Sequence, residues 1–358
     1  MAVRLPSLRR ARGPETAADT VVEIVDAVED RTGTPITRKL PRWLVDDSIM
    51  LDRHIREGRF QRSLSLVAGF ASALSGLEVV YEHYRGSYSQ RIMYSPVLLS
   101  PALLIAGVWG AVSKRAARTV LPVVSVVTMA DGVIGFFFHV RGIHRKPGGW
   151  RTPIFDLIMG PPVLAPPLFA ISGYLGLIAS LLRPEDAPEG LGDLKNYLPQ
   201  TARPRAAWLR LLPTGVAKET VALEARAREG RLQQQLAIAA AVSALFSGFE
   251  ALYSHYKNNF KYGVQWTPIL LAPLVAGAGF GAIWSRTVAR TLLPVVSLLA
   301  MLDGAVGFFF HVRGMLRRPG GLTYPLYNLM YGPPLFAPLL FSASGFLGLL
   351  ASLLRRAE

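Results

Sequence analysis

Asp131-Gly-Val-Ile-Gly-Phe-Phe-Phe-His-Val-Arg-Gly142 returns 172 residues later as Asp303-Gly-Ala-Val-Gly-Phe-Phe-Phe-His-Val-Arg-Gly314. Ahead of it, Leu121-Pro-Val-Val-Ser125 returns as Leu293-Pro-Val-Val-Ser297. Behind it come Pro147-Gly-Gly against Pro319-Gly-Gly, and Gly160-Pro-Pro against Gly332-Pro-Pro. Extended outward, residues 57–183 align on 229–355 without a gap, and about half the positions are identical. Such self-similarity is the first thing to settle in a fold reading, because it sets the architecture. The chain reads as a tandem duplication.

Each copy carries four apolar stretches. In the first they run about 63–84, 95–113, 118–141 and 156–182; in the second about 235–256, 266–285, 290–313 and 328–354. Several hold one charge or none over about 20 residues, enough to cross a ~30 Å hydrocarbon core as helix. Backbone groups in lipid must bond internally, so the stretches predict helices rather than strands. Of the 358 residues, 51% are hydrophobic and 18% charged, which excludes most soluble-enzyme readings. The predicted fold is therefore an all-α integral membrane protein with eight transmembrane helices in two tandem four-helix repeats. An even number of spans per repeat makes the repeats parallel, with the same orientation, and not inverted. Gly160-Pro-Pro, Ala165-Pro-Pro and Gly332-Pro-Pro predict that the fourth helix of each repeat is broken. Pro96, Pro101 and Pro122 read as prolines near span starts.

Four segments follow. Residues 1–56 are a soluble or interfacial N-terminal segment, with a short helix at Thr20–Glu29 and an interfacial anchor at Arg42-Trp43-Leu44-Val45. Residues 57–183 are membrane repeat 1. Residues 184–228 are a basic linker with an amphipathic helix from Ala217. Residues 229–358 are membrane repeat 2.

The net charge of +15 and the absence of cysteine bound the chemistry. Disulfides, thiolate metal sites, iron–sulfur clusters and cysteine nucleophiles are excluded. The cations flank apolar segments, so the expected partner is the lipid bilayer with its anionic headgroups, and not nucleic acid. Other subunits of a membrane complex are further expected partners. Counting Lys and Arg at the two faces favours cytoplasmic termini, in a bacterial-type inner membrane.

Ionisable residues within spans cost free energy and mark function by default. Four of the six histidines form repeat-related pairs, His83 with His255 and His139 with His311. Two carboxylate pairs accompany them, Glu78 with Glu250 and Asp131 with Asp303. His83 and His139 both fall near the same end of spans running in the same direction, which places the imidazoles at similar depth. By helical rise, Glu78 lies roughly 7–8 Å deeper than His83, and Asp131 roughly 12 Å deeper than His139. On span 3, Ser125, Thr128, Asp131, Gly132, Gly135, His139 and Gly142 share one arc; on span 1, Ala71, Ser72, Ser75, Gly76, Glu78 and His83 share another.

Four readings fit. A b-type haem in each repeat needs two imidazoles at one depth on facing helices, with cations near the propionates. His83, His139, His255 and His311 are the ligands, and Arg85, Arg141, Lys257 and Arg313, each two residues on, the cations. A non-haem transition metal draws on Glu78, His83 and His139, and on Glu250, His255 and His311. In both, Asp131 and Asp303 serve as proton-relay or supporting groups. A proton- or ion-coupled transporter uses the midplane Asp and Glu residues. A structural or anchoring subunit has no cofactor, its small and polar faces serving helix packing. The favoured expectation is a membrane-embedded redox or electron-transfer subunit with one haem or metal site per repeat. No catalytic residue is assigned, and Tyr81, Tyr84, Tyr253 and Tyr256 read as interfacial aromatics.

Overall fold

A computed structural model describes residues 50–51, 53–151, 155–156, 160–186 and 222–354. The expected helix at Thr20–Glu29, the Arg42–Val45 anchor and most of the 184–228 linker lie outside the described residues. Residues 222–228 of that linker are helical. Ile55–Glu358 forms one compact unit, separate from Met1–His54, and only the former is considered below.

The described residues are helical, with no strand among them. Helix α1 spans Gln61–Arg85, α2 Ser95–Val112, α3 Lys114–His144 and α4 Ala165–Leu181. Next come α5 Gln233–Lys257, α6 Thr267–Trp284, the short α7 Arg286–Arg290, α8 Leu292–Leu316, α9 Pro325–Tyr331 and α10 Ala337–Leu353. Among the described residues, six stretches are long and apolar enough to cross a membrane: α1, α2, α3, α5, α6 and α7–α8. The apolar helices α4 and α10 have 17 residues each, about 25 Å of rise.

The proline readings divide. Gly160-Pro161-Pro162 and Gly332-Pro333-Pro334 lie outside helices, so no continuous helix runs through either. Pro166 and Pro167, by contrast, do not interrupt anything. They occupy the first turn of α4, where the missing N–H has no intrahelical partner to lose. Pro101 and Pro122 lie inside α2 and α3 rather than at their starts. In the second half the helix lapses at Thr291, so that Pro294 falls in the first turns of α8.

Within residues 61–181, α1 packs on α2 and α4, and α3 on α2 and α4. Within 233–353, α5 packs on α6 and α10, and α8 on α6 and α10. The halves meet through α1 against α10 and α4 against α5. Small residues allow these approaches: the core includes Ala68, Ala106, Ala237, Ala240, Ala244 and Ala278. At Gly132 on α3 a Cβ would stand 2.7 Å from the Pro166 carbonyl oxygen and 2.6 Å from the Ala170 Cβ on α4. Only glycine permits that spacing. Large apolar side chains turn outward instead, Leu98, Ile105, Val133 and Phe137 among them, giving a surface suited to lipid contact.

Candidate functional site

His83 is on the last turn of α1 and His139 near the end of α3. Their rings face each other edge to face with centroids 6.5 Å apart. Each ring is fixed by its Nδ1. His83 Nδ1 lies 2.7 Å from the Met93 carbonyl oxygen, and His139 Nδ1 lies 2.6 Å from that of Pro162. A carbonyl only accepts, so Nδ1 carries the proton, and the neutral ring keeps its lone pair on Nε2. Orientation of this kind is what a metal-binding histidine receives from its surroundings.

The second half repeats part of this. His311 Nδ1 lies 2.6 Å from the Pro334 carbonyl oxygen, and His255 is within electrostatic range of His311. Among the described residues, His255 has no carbonyl partner matching Met93. The depth argument thus brings His83 and His139 together, although nothing in the sequence pointed to the backbone carbonyls that hold them. Pro162 and Pro334 were visible as helix breakers; that a break frees carbonyls for a neighbouring imidazole was the available signal.

Glu78 and Glu250 go elsewhere. Glu78 Oε1 accepts from the Phe336 backbone N–H at 2.6 Å and also bonds the Ala337 N–H, at the start of α10. Glu250 Oε1 accepts from the Leu164 N–H at 3.2 Å, at the start of α4. Each carboxylate therefore caps the broken fourth helix of the opposite half. There it meets unpaired N–H groups and the positive end of a helix dipole. The sequence reading put Glu78 with His83 and His139, and Glu250 with His255 and His311, as metal ligands. The structure sets them across the half-to-half interface, and no cluster of three His, Asp or Glu side chains suited to a metal occurs among the described residues.

Asp131 lies near the first histidine pair. Counted along α3 it is about 12 Å below His139, yet it lies within electrostatic range of His83 and bonds the Ser95 side chain. Helical side chains lean toward the N-terminus of their helix, which carries the His83 ring down toward Asp131. Ser95 Oγ also donates to the Ile92 carbonyl at 2.7 Å. Asp303 bonds Thr267 in the same way, and Thr267 donates to Val264 at 2.8 Å.

The flanking cations split. Arg85 donates to the Tyr81 hydroxyl at 3.0 Å, and Lys257 to the Tyr253 hydroxyl at 2.7 Å. Tyr81 is buried rather than interfacial, and Tyr253 reaches the Gly160 carbonyl of the other half at 3.5 Å. Arg141 and Arg313 are exposed.

Two aromatic residues close the outer side of the histidines. Tyr88 follows α1 with φ 44°, and Phe260 follows α5 with φ 45°. Their rings lie 6.1 Å from His83 and 6.4 Å from His255. Each is stacked on a second aromatic, Tyr88 on Tyr94 and Phe260 on Trp266. A bulky residue at positive φ is uncommon and strained, and such strain gathers at functional sites. The sequence carries no glycine at these positions to announce the turn. Comparison with protein-family models, curated proteins and solved structures finds no match to this chain.

Proposed function

We propose that the chain is an eight-span membrane protein of two parallel four-helix halves, each half binding a redox centre between the histidines of its first and third spans. The observation that carries the reading is the His83–His139 pair: two oriented imidazoles with lone pairs on Nε2 and centroids 6.5 Å apart. A haem would be held by the Nε2 atoms of these two histidines. Haem b fits this ligand set better than a non-haem ion. Two histidines suffice when a porphyrin supplies the other four nitrogens, whereas a non-haem ion needs protein ligands that Glu78 and Glu250, committed to Phe336 and Leu164, do not offer. Bound haem would supply one-electron chemistry. The chain's own part is to orient the imidazoles, and in the first half to hold Asp131 near His83, where a proton can be kept.

A second reading rests on a specific observation. His139, His311, Glu78 and Glu250 between them satisfy backbone groups freed at the two breaks. Non-helical backbone at membrane depth requires such partners. On that reading the chain is a structural or anchoring subunit without cofactor. A proton- or ion-coupled transporter has less behind it, since the two glutamates tie together the halves that would have to move.

The reduced-minus-oxidised spectrum of the purified protein decides. A b-type band whose intensity halves in His83→Ala, falls no further in His83→Ala/His139→Ala, and vanishes when His255→Ala is added supports two haem sites. A protein that shows no such band when produced with haem supplied, and that loses stability independently with each substitution, is the structural subunit.

A further inference from the structure

Beside the His83 site, an open groove of about 560 Å³ lies between the halves. It is lined by Tyr84, Arg85, Ser87, Tyr88 and Tyr94 of the first half and by Tyr331 of the second. Its volume is within the range of small-molecule sites. Tyr331 ends α9, the short helix preceding the second break, so the groove requires both halves. The Tyr88 and Tyr94 rings are nearly parallel, 16° apart, and form a flat wall. The same Tyr88 ring is 6.1 Å from His83.

The lining offers the neutral hydroxyls of Tyr84, Ser87, Tyr94 and Tyr331, while that of Tyr88 donates to the Val80 carbonyl at 3.3 Å. Its one cation, Arg85, is already balanced by Glu82 at 3.9 Å. A phosphate or carboxylate would find little net positive charge here. A flat, uncharged ring with carbonyl acceptors would find an aromatic wall and hydroxyl donors at the level where spans meet the membrane surface. The corresponding positions in the second half are Tyr256, Lys257, Asn259, Phe260 and Trp266, which lack the phenols of Tyr88 and Tyr94.

We propose that this groove binds the headgroup of a lipophilic quinone, the electron partner of the adjacent histidine site. The proposal rests on the redox reading above for its role, and on the groove alone for its occupancy. A quinol held there loses two electrons and two protons and becomes quinone. Haems held by His83 with His139 and by His255 with His311 would each supply a one-electron acceptor, together balancing the quinol's two electrons, and the two protons would leave to water at the membrane surface.

Full-length protein in detergent is titrated with decylubiquinone by calorimetry, alongside Tyr331→Ala, Tyr94→Ala and, as control, Leu326→Ala on the exposed face of α9. The expected result is saturable binding that weakens at least tenfold in Tyr331→Ala and Tyr94→Ala, holds in Leu326→Ala, and leaves the haem spectrum unchanged in all. Non-saturable partitioning, or equal affinity in every variant, overturns the proposal. Binding without a haem band overturns the redox reading and keeps the quinone site; a haem band without saturable binding removes the quinone site and leaves the redox reading standing.

Discussion

Glu78 and Glu250 tie the two halves together whichever reading of the histidines holds. Each accepts backbone N–H groups of a helix that belongs to the other half. Glu78→Ala leaves the Phe336 and Ala337 N–H groups without an acceptor, at about 1–3 kcal/mol per buried group. Glu78→Gln keeps a carbonyl oxygen there and loses only the charge. Thermal unfolding in detergent is expected to rank wild type above Glu78→Gln and Glu78→Gln above Glu78→Ala; equal loss in both would mean that charge alone matters. The strained turns make a second test. Ser87 has φ 58° and Asn259 φ 53°. Left-handed backbone costs a non-glycine residue roughly 1–2 kcal/mol, less for asparagine, and part of any gain from glycine is returned as chain entropy. Ser87→Gly is expected to raise the midpoint of unfolding, and Asn259→Gly to raise it less. At the opposite end of the bundle, Lys114 Nζ lies 2.6 Å from Asp186 Oδ2. That hydrogen bond holds the Asp186 carboxyl below its ordinary value. Its contribution is present at neutral pH and lost as pH falls through the lowered value, below about pH 4. Both groups are half-exposed, so Lys114→Ala should remove only a small part of the acid-induced loss of stability, read from unfolding midpoints between neutral and acid pH.

Helices whose contacts are made through small residues should respond to one methyl group according to what that group meets. In Gly132→Ala and Gly304→Ala the new Cβ falls 2.7 and 2.5 Å from the carbonyl oxygens of Pro166 and Pro338. These α3–α4 and α8–α10 contacts must open, and overpacking typically costs about 1–3 kcal/mol. Gly277 on α6 has nothing within 4 Å of its Cβ position. Gly277→Ala should leave the unfolding midpoint unchanged or raise it slightly, since alanine favours helix. At this scale the sequence was readable to a considerable extent. The arc of Ser125, Thr128, Gly132 and His139 is a packed face of α3 because small and polar residues on an otherwise apolar helix have nowhere else to go. The paired depth of His83 and His139 follows from their places near the same end of spans running in the same direction. What was not readable is whatever depends on a distant partner. Nothing local to Glu78 specifies Phe336, 258 residues away, and nothing local to Asp131 specifies Ser95. Proline position was half readable: a proline pair opens a helix as easily as it breaks one, and the neighbours of Gly160 and Ala165 decide which.

Across the whole molecule the halves meet at two levels. Near the start of α1 and α5, Gly58 and Gly230 sit back to back, both with φ near 70°, and a Cβ on Gly58 would fall 2.8 Å from the Ala227 carbonyl oxygen. Toward the other end, Glu78 and Glu250 cross to α10 and α4. Positions 172 apart thus contact each other, or exchange equivalent contacts, at both levels, which supports the proposal of parallel halves. An inverted pair would place Gly58 and Gly230 at opposite faces. The arrangement fixes where loops emerge. On that proposal residues 86–94 and 258–265 lie on one side of the membrane, and residues 113 and 285, which follow α2 and α6, on the other. The chain contains no cysteine, so Ser89→Cys, Lys261→Cys, Ser113→Cys and Ser285→Cys can each be labelled alone with an impermeant thiol reagent, in oriented vesicles. Ser89→Cys and Lys261→Cys are expected to react from the same side, and Ser113→Cys and Ser285→Cys from the other. Reaction of Ser89→Cys and Lys261→Cys from opposite sides would be incompatible with parallel halves, and with any scheme that sets the two histidine pairs at one membrane face.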